Sequence, residues 1–352
     1  MEQLSDGPRI PDPQPAESYT HTDVVPYPEV PITRGRNSVY CATFAIAWDA
    51  ACKKCGGRPL ELTGDPPLAL GLNAHLFRPT NLSSESYVAG AGPGNAAFRQ
   101  TLEEELSAKF PGATPQLIDP DGNDHVLQLY SYLQKSLPFH VEFGDLPQPL
   151  RFHAENQEIR VTSFGAAQLG QDSRSEQIEA QVTILDYIND DDFILKLAPG
   201  TPRDEIVLAK LTPRATLQEM IAAVRERIAH PNPRHTDHHF LATESLVIPK
   251  LTLSVRKEYS ELKEEIVGSL LEITGAVQII KFRLDETGAV LESEAAIVGD
   301  NGHEPTIPAG QRKFIFDRPF LIYLIERQAD QPYFAAWIEN AELMTPFFPS
   351  PR

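Results

Sequence analysis

His235, Asp237, His238 and His239 stand within one short, Pro-flanked loop, and imidazole with carboxylate is a donor set that zinc or nickel accepts. Adjacent ligands in such a loop rarely close a tetrahedral shell unaided. An exposed surface loop is the preferred reading, and the four residues are kept as weak metal candidates. Asp119, Asp121, Asn123 and Asp124 surround Gly122 and offer oxygen ligands of the calcium type. The later bidentate Glu is missing at the proper spacing, so a turn with a helix cap explains them better. Cys52 and Cys55 form a C-x-x-C. Redox motifs need a depressed thiolate pKa, which a helix start supplies. Here the pair falls at the end of an expected helix, where the dipole disfavours a thiolate. With Cys41 on the same apolar face, packing is favoured over redox chemistry. No cofactor is expected.

Asn37 to Ala42 has the look of a nucleophilic Cys opening a helix, as in papain-like peptidases. That arrangement needs a Trp directly after the Cys and an oxyanion-hole Gln shortly before it. Trp48 is too far on, and the Gln is absent. There is no G-x-S-x-G, phosphate-binding loop, dinucleotide-binding glycine set or H-E-x-x-H. The sequence offers no catalytic constellation, and the expectation is a binding or inhibitory protein, not an enzyme.

The elements that must position these residues are read from periodicity. Cys41, Phe44, Trp48, Cys52 and Cys55 recur at helical spacing and predict a helix over Ser38 to Cys55, stopped by Gly56-Gly57. Asn95 caps a second helix over Ala96 to Lys109, with Phe98, Leu102 and Leu106 on its buried face. Val126 to Leu133 fits neither period cleanly. Phe139 to Phe143, Ile159 to Phe164, Ile178 to Leu185 and Phe193 to Leu197 read as strands. Thr216 and Glu219 form a capping box before Leu217, Met220, Ile221, Val224 and Ile228. Strands follow at Ser245 to Val255 and Val277 to Leu284, with a helix or turn at Tyr259 to Leu271 between them. Phe320 to Ile325 and Tyr333 to Ile338 are short apolar runs rich in aromatic and β-branched residues, which predicts two buried antiparallel strands. Asp285 to Gly310 has no sustained period and is longer than an ordinary connection; loops of this length are functional or disordered.

The chain has 352 residues, 41% of them apolar, with a formal net charge of −18 and a sequence pI near 5.0. A surface that acidic repels nucleic acid and anionic lipid. No apolar run approaches the length that spans a bilayer. Three cysteines give no disulfide framework, and the first residues lack a secretory pattern, so a cytoplasmic location is the default expectation. Residues 1–31 are Pro-rich and polar and are expected to form a poorly ordered arm. Residues 32–352 show no composition break and are expected to form one α+β domain.

The order of motifs resembles the serpin family. Ile248-Pro249-Lys250-Leu251 is similar to its Leu-Pro-Lys-Phe strand. Lys281 to Gly288 looks like the strand that leads into the serpin hinge, and Glu294-Ala295-Ala296 resembles the hinge itself. Phe316-Asp317-Arg318-Pro319-Phe320 stands where serpins resume the core. Asn37 to Trp48, Leu137-Pro138-Phe139 and Ile184 to Pro199 give weaker echoes, so that the resemblance covers most of residues 37–345. It implies an α+β fold of large mixed sheets with several packed helices and an exposed loop at about 285–313. It further implies a hinge at Gly288, Glu294, Ala295 and Ala296, with bait residues Gly302, His303, Glu304, Pro305, Thr306 and Ile307. The implied function is inhibition of a serine or cysteine peptidase, the cleaved loop inserting into a sheet. The alternative is a serpin-fold binding protein whose loop does not insert. Insertion turns every second side chain into the core. A carboxylate at Glu292, Glu294 or Asp300 turned inward would cost several kcal/mol.

Overall fold

The computed structural model describes residues 10–74, 77–93, 95–111, 126–155, 157–167, 169–233, 237–263, 266–267, 271–291 and 311–348. Its first strands are β1 (Gln14–Pro15), β2 (Thr22–Val25), β3 (Asn37–Cys41), β4 (Tyr87–Gly92), β5 (Val126–Leu133), β6 (Lys135–Pro138) and β7 (Gly144–Ala154). Next come β8 (Gln157–Ala167), β9 (Val182–Asn189), β10 (Asp192–Leu197), β11 (Asp204–Lys210), β12 (Ser245–Pro249) and β13 (Leu251–Glu258). The last are β14 (Ile266–Val267), β15 (Leu271–Gly275), β16 (Val277–Asp285), β17 (Gly288–Leu291), β18 (Lys313–Ile315), β19 (Phe320–Glu326) and β20 (Phe334–Ile338). The helices are α1 (Thr43–Lys54), α2 (Pro67–Ala74), α3 (Ala96–Lys109), α4 (Ser173–Gln181) and α5 (Leu217–Ala229).

Among the described residues the strands form four sheets, which gives the expected α+β class. One is ordered β1-β13-β16-β17-β6 and another β2-β3-β20-β19-β11-β10-β9. The two smaller ones run β18-β12-β8-β7 and β14-β15-β5-β4. The large sheets share an apolar core, in which Phe282 of β16 stacks on Phe334 of β20 with ring centroids 4.3 Å apart. The C-terminal strand pair is antiparallel, Phe320 facing Ile338, and β20 is buried throughout. In the third sheet β7 is the border strand; it carries Pro147 and Pro149, and its register with β8 shifts between Leu146 and Leu150.

The two caps read from sequence are present. Asn95 Oδ1 accepts the Phe98 N–H at 3.0 Å, and Thr216 Oγ1 accepts the Glu219 N–H at 3.1 Å. Glu219 returns the bond by accepting from Ala215 N, so two donors at that helix start are satisfied.

Several expectations are corrected. Residues 10–31 do not form a loose arm: Ile10 is buried, β1 adds to β13, and β2 adds to β3. Edge strands present unpaired backbone donors and acceptors, and this segment satisfies them. Residues 37–41 are a strand, not the first turn of a helix. Lying between β2 and β20, β3 is buried on both faces and shows no alternation that would mark it. Val126 to Leu133 proves to be a strand for the same reason, most of its side chains being buried. Ile178 lies in α4, where Asp172 caps the helix by accepting from Ser175 N at 2.8 Å. Phe139 to Phe143 forms no strand, and among the described residues of the span from Tyr259 to Leu271 a short 3-10 turn at Ser260–Leu262 precedes β14.

Candidate functional site: a strand slot in the five-stranded sheet

Two strands set the frame. One consists of β15 and β16, interrupted at Ala276; the other consists of β5 and β6, interrupted at Gln134. At their first ends they touch, β15 pairing with β5 in parallel so that Gly275 faces Gln128. At their last ends they are held apart by β17, which pairs antiparallel with β16 on one side and β6 on the other. There Leu284 stands across Ala289 from Leu137, so the two strands keep one register whether or not they touch.

The wedge depends on a tight turn. Asp285 faces Gly288, and Asp285 Oδ1 accepts the Thr287 N–H at 3.0 Å and the Thr287 hydroxyl at 2.6 Å. Arg283 Nε pairs with Asp285 at 3.0 Å. Gly288 has φ +146°, and a Cβ there would lie 2.3 Å from Leu137 O and 2.7 Å from Pro138 Cα. Only glycine fits. Beyond the turn, Ala289 and Leu291 are buried while Val290 is half-exposed, so odd-numbered residues of β17 face the core.

Three polar clusters border the slot. At the turn, Lys250 Nζ reaches Glu286 at 2.7 Å and Asp145 at 2.9 Å, joining the five-stranded sheet to β7. Where β17 ends, buried Lys135 reaches Asp204 at 2.9 Å and Glu326 at 2.6 Å and lies over the Tyr333 ring. Burial, reinforced by the Asp204 carboxylate, holds the Tyr333 phenol well above its ordinary pKa. Where the two strands close up, Gln278 Nε2 donates to Cys41 O at 2.9 Å and Thr43 Oγ1 at 2.7 Å, while its Oε1 accepts the Tyr259 hydroxyl at 2.7 Å. Ser131 donates to Thr43 O from the opposite strand.

Burial alone would lower the Lys250 pKa; its bonds to Glu286 and Asp145 outweigh that and raise it. A raised lysine contributes stability that is complete below its unfolded value, ordinarily 10.5, and is lost as pH climbs through the folded value. Lys250→Met is therefore expected to destabilise the protein at neutral pH, with the difference from the parent shrinking in alkaline solution. Urea midpoints of both proteins across that range check it; a difference that stays constant would refute the ion-pair account.

Of the residues singled out from sequence, Gly288 lies at the start of β17. Glu294, Ala295 and Ala296 fall outside the described residues, as do Gly302, His303, Glu304, Pro305, Thr306 and Ile307. The expected exposed loop is corrected at both ends. Asp285 is buried, Gly288 to Leu291 form a central strand, and Lys313 belongs to β18. His235, Asp119, Asp121, Asn123 and Asp124 also lie outside. His238 Nδ1 lies 2.8 Å from Ile184 O, the Asp237 carboxylate accepts the His239 N–H at 2.9 Å, and His239 bridges Thr183. These bonds go to backbone, and among the described residues no group of three metal-ligating side chains converges. Cys41, Cys52 and Cys55 are free thiols, each raised above the ordinary pKa by burial, which opposes redox or nucleophilic use. The sequence reading missed Lys135 and Gln278; a lone lysine between the apolar Leu133 and Leu137 was the available signal.

No family model and no curated protein matches the sequence. Solved structures do. Thyroxine-binding globulin in complex with thyroxine is 12% identical, with 88% of this chain and 94% of that one covered at a TM-score of 0.50. Serpin48 of the insect Tenebrio molitor is 14% identical, with 86% and 92% covered and a TM-score of 0.46. Human glycosylated kallistatin is 13% identical, with 88% and 92% covered and a TM-score of 0.45. The slot between β16 and β6, the four sheets around it and the thyroxine-binding globulin match together give the conclusion that this chain has the serpin fold.

Proposed function

We propose that the chain inhibits serine or cysteine peptidases, with the connector at 292–310 as bait and the five-stranded sheet as its acceptor. A target peptidase would attack a backbone carbonyl of the connector and release the amine half, keeping the other half as an acyl-enzyme. The freed end would then lengthen β17, and strand insertion with the enzyme still attached would trap it.

The observation that carries this reading is β17 itself: the chain entering the connector already lies between β16 and β6, odd-numbered residues inward. Continued in that ladder, the inward set would be Ser293, Ala295, Ile297 and Gly299. The outward set would hold Glu292, Glu294 and Asp300, all three carboxylates on the solvent side. Glu292 would stand opposite Lys281, and Ala295 between Gln278 and Ser131, where small size matters. The feared burial of a carboxylate does not arise in this parity.

The test is incubation with trypsin-, chymotrypsin- and papain-type peptidases, followed by a denaturing gel and melting of the cut protein. A complex that survives denaturant and a cut chain that melts far above the intact one are expected. Ala295→Glu, inward, is expected to abolish the melting gain, and Glu294→Ala, outward, to keep it. Two fragments with an unchanged Tm would reject trapping and favour a serpin-fold binding protein.

A further inference from the structure

The free edge of β13 is sealed from both ends of the chain. Near its start, Thr345 N donates to Lys250 O at 3.1 Å and Met344 bridges Leu251. Near its finish, Gln14 and Pro15 of β1 pair with Val255 and Arg256. Between them a single side chain does what a neighbouring strand would do. The Tyr19 hydroxyl donates to Ser254 O at 2.9 Å and accepts the Ser254 N–H at 3.2 Å. Ser254 Oγ in turn donates to Pro11 O at 2.5 Å.

The same segment is fixed to the other large sheet directly after Tyr19. The Glu342 carboxylate, just beyond β20, accepts Thr20 N at 2.8 Å, His21 N at 2.9 Å and the Thr22 hydroxyl at 2.7 Å. Asn340 Nδ2 donates to His21 O at 3.0 Å, and Thr22 begins β2, which runs parallel to β3. Residues 10–25 thus cross from the outer edge of one large sheet to the outer edge of the other.

Lengthening β17 requires β15 to leave β5, because those strands touch where the new residues would go. β16 and β13 are paired along their whole common length, so they must move away as a unit. That movement drives Ser254 outward, against a Tyr19 whose next three residues are clasped by Glu342. We propose that residues 10–25 are a strap that holds the β15–β5 contact closed, so that release of the strap opens the slot. This extends the insertion reading above and acts on the uncut protein.

The experiment uses the full chain with Tyr19→Phe, which keeps the ring and removes only the hydroxyl, and separately with Glu342→Gln. Hydrogen exchange is followed amide by amide. The expected result is exchange about tenfold faster in Glu272–Gly275 and Val126–Gln128 in both variants, with the amides of β19 and β20 unchanged. Acceleration confined to Ser254 and its neighbours would overturn the strap, and so would a uniform acceleration, which reports a global loss of stability. Failure of the cut parent protein to gain stability would reject the proposed function, whereas the exchange pattern alone decides the strap.

Discussion

Lys135→Ala is expected to remove about 3–5 kcal/mol of stability, the loss that follows when one partner of a buried ion pair is deleted. Lys135 is the cation that pairs with both Asp204 and Glu326; its side chain is 8% exposed, and theirs are 5% and 12% exposed. Asp204 also accepts the Tyr333 hydroxyl at 3.1 Å, and Glu326 accepts Ser83 N at 3.0 Å, but neither donor brings a charge. Alanine would leave two carboxylates facing each other without water. Equilibrium urea unfolding checks the figure. Adding Asp204→Asn and Glu326→Gln to a Lys135→Met protein should recover much of the loss, because it removes the uncompensated charges together with the lysine. A cost below about 1 kcal/mol for Lys135→Ala would mean that the cluster is solvated like a surface pair.

Gly288→Ala is expected to cost about 3 kcal/mol, combining backbone strain at positive φ with an overpacked contact. The obstacle is backbone, Leu137 O and Pro138 Cα, which cannot rotate aside as a side chain would. The chain is expected to relieve the clash by withdrawing β17 from between β16 and β6. Hydrogen exchange should then accelerate at Ala289 to Leu291 and along β6, together with a lower Tm. A variant that melts like the parent with full protection in β17 would show that β6 can yield. Ala289→Gly, one residue on, should cost less, since it leaves the turn intact and removes a single methyl.

Sequence patterning revealed elements whose signal is local. The Asn95 and Thr216 caps, the C-terminal strand pair and the strand that runs through Lys281 toward Gly288 were readable because caps, apolar runs and a glycine act within a few residues. Elements buried on both faces were harder. β3 and β5 show no alternation, and Cys41 to Cys55 kept helical spacing across what is a strand followed by a helix. The docking of residues 10–25 was hidden because it relies on scattered single contacts, Tyr19 on Ser254 and Thr20 on Glu342, between residues more than two hundred positions apart. The slot was half legible. Motif order pointed to Gly288, but periodicity could not say that the chain turns there and re-enters the sheet, nor which parity faces inward. Lys135 and Gln278 resisted because a buried polar side chain is intelligible only beside its partners.

Among the described residues β7 is the longest border strand, and its two prolines have no N–H to offer a docking neighbour. The shift between Leu146 and Leu150 bends the same stretch away from flatness. Concentrated solutions of this protein are therefore denied a template for lateral stacking on that flank, and Pro147→Thr with Pro149→Thr would be the way to create one.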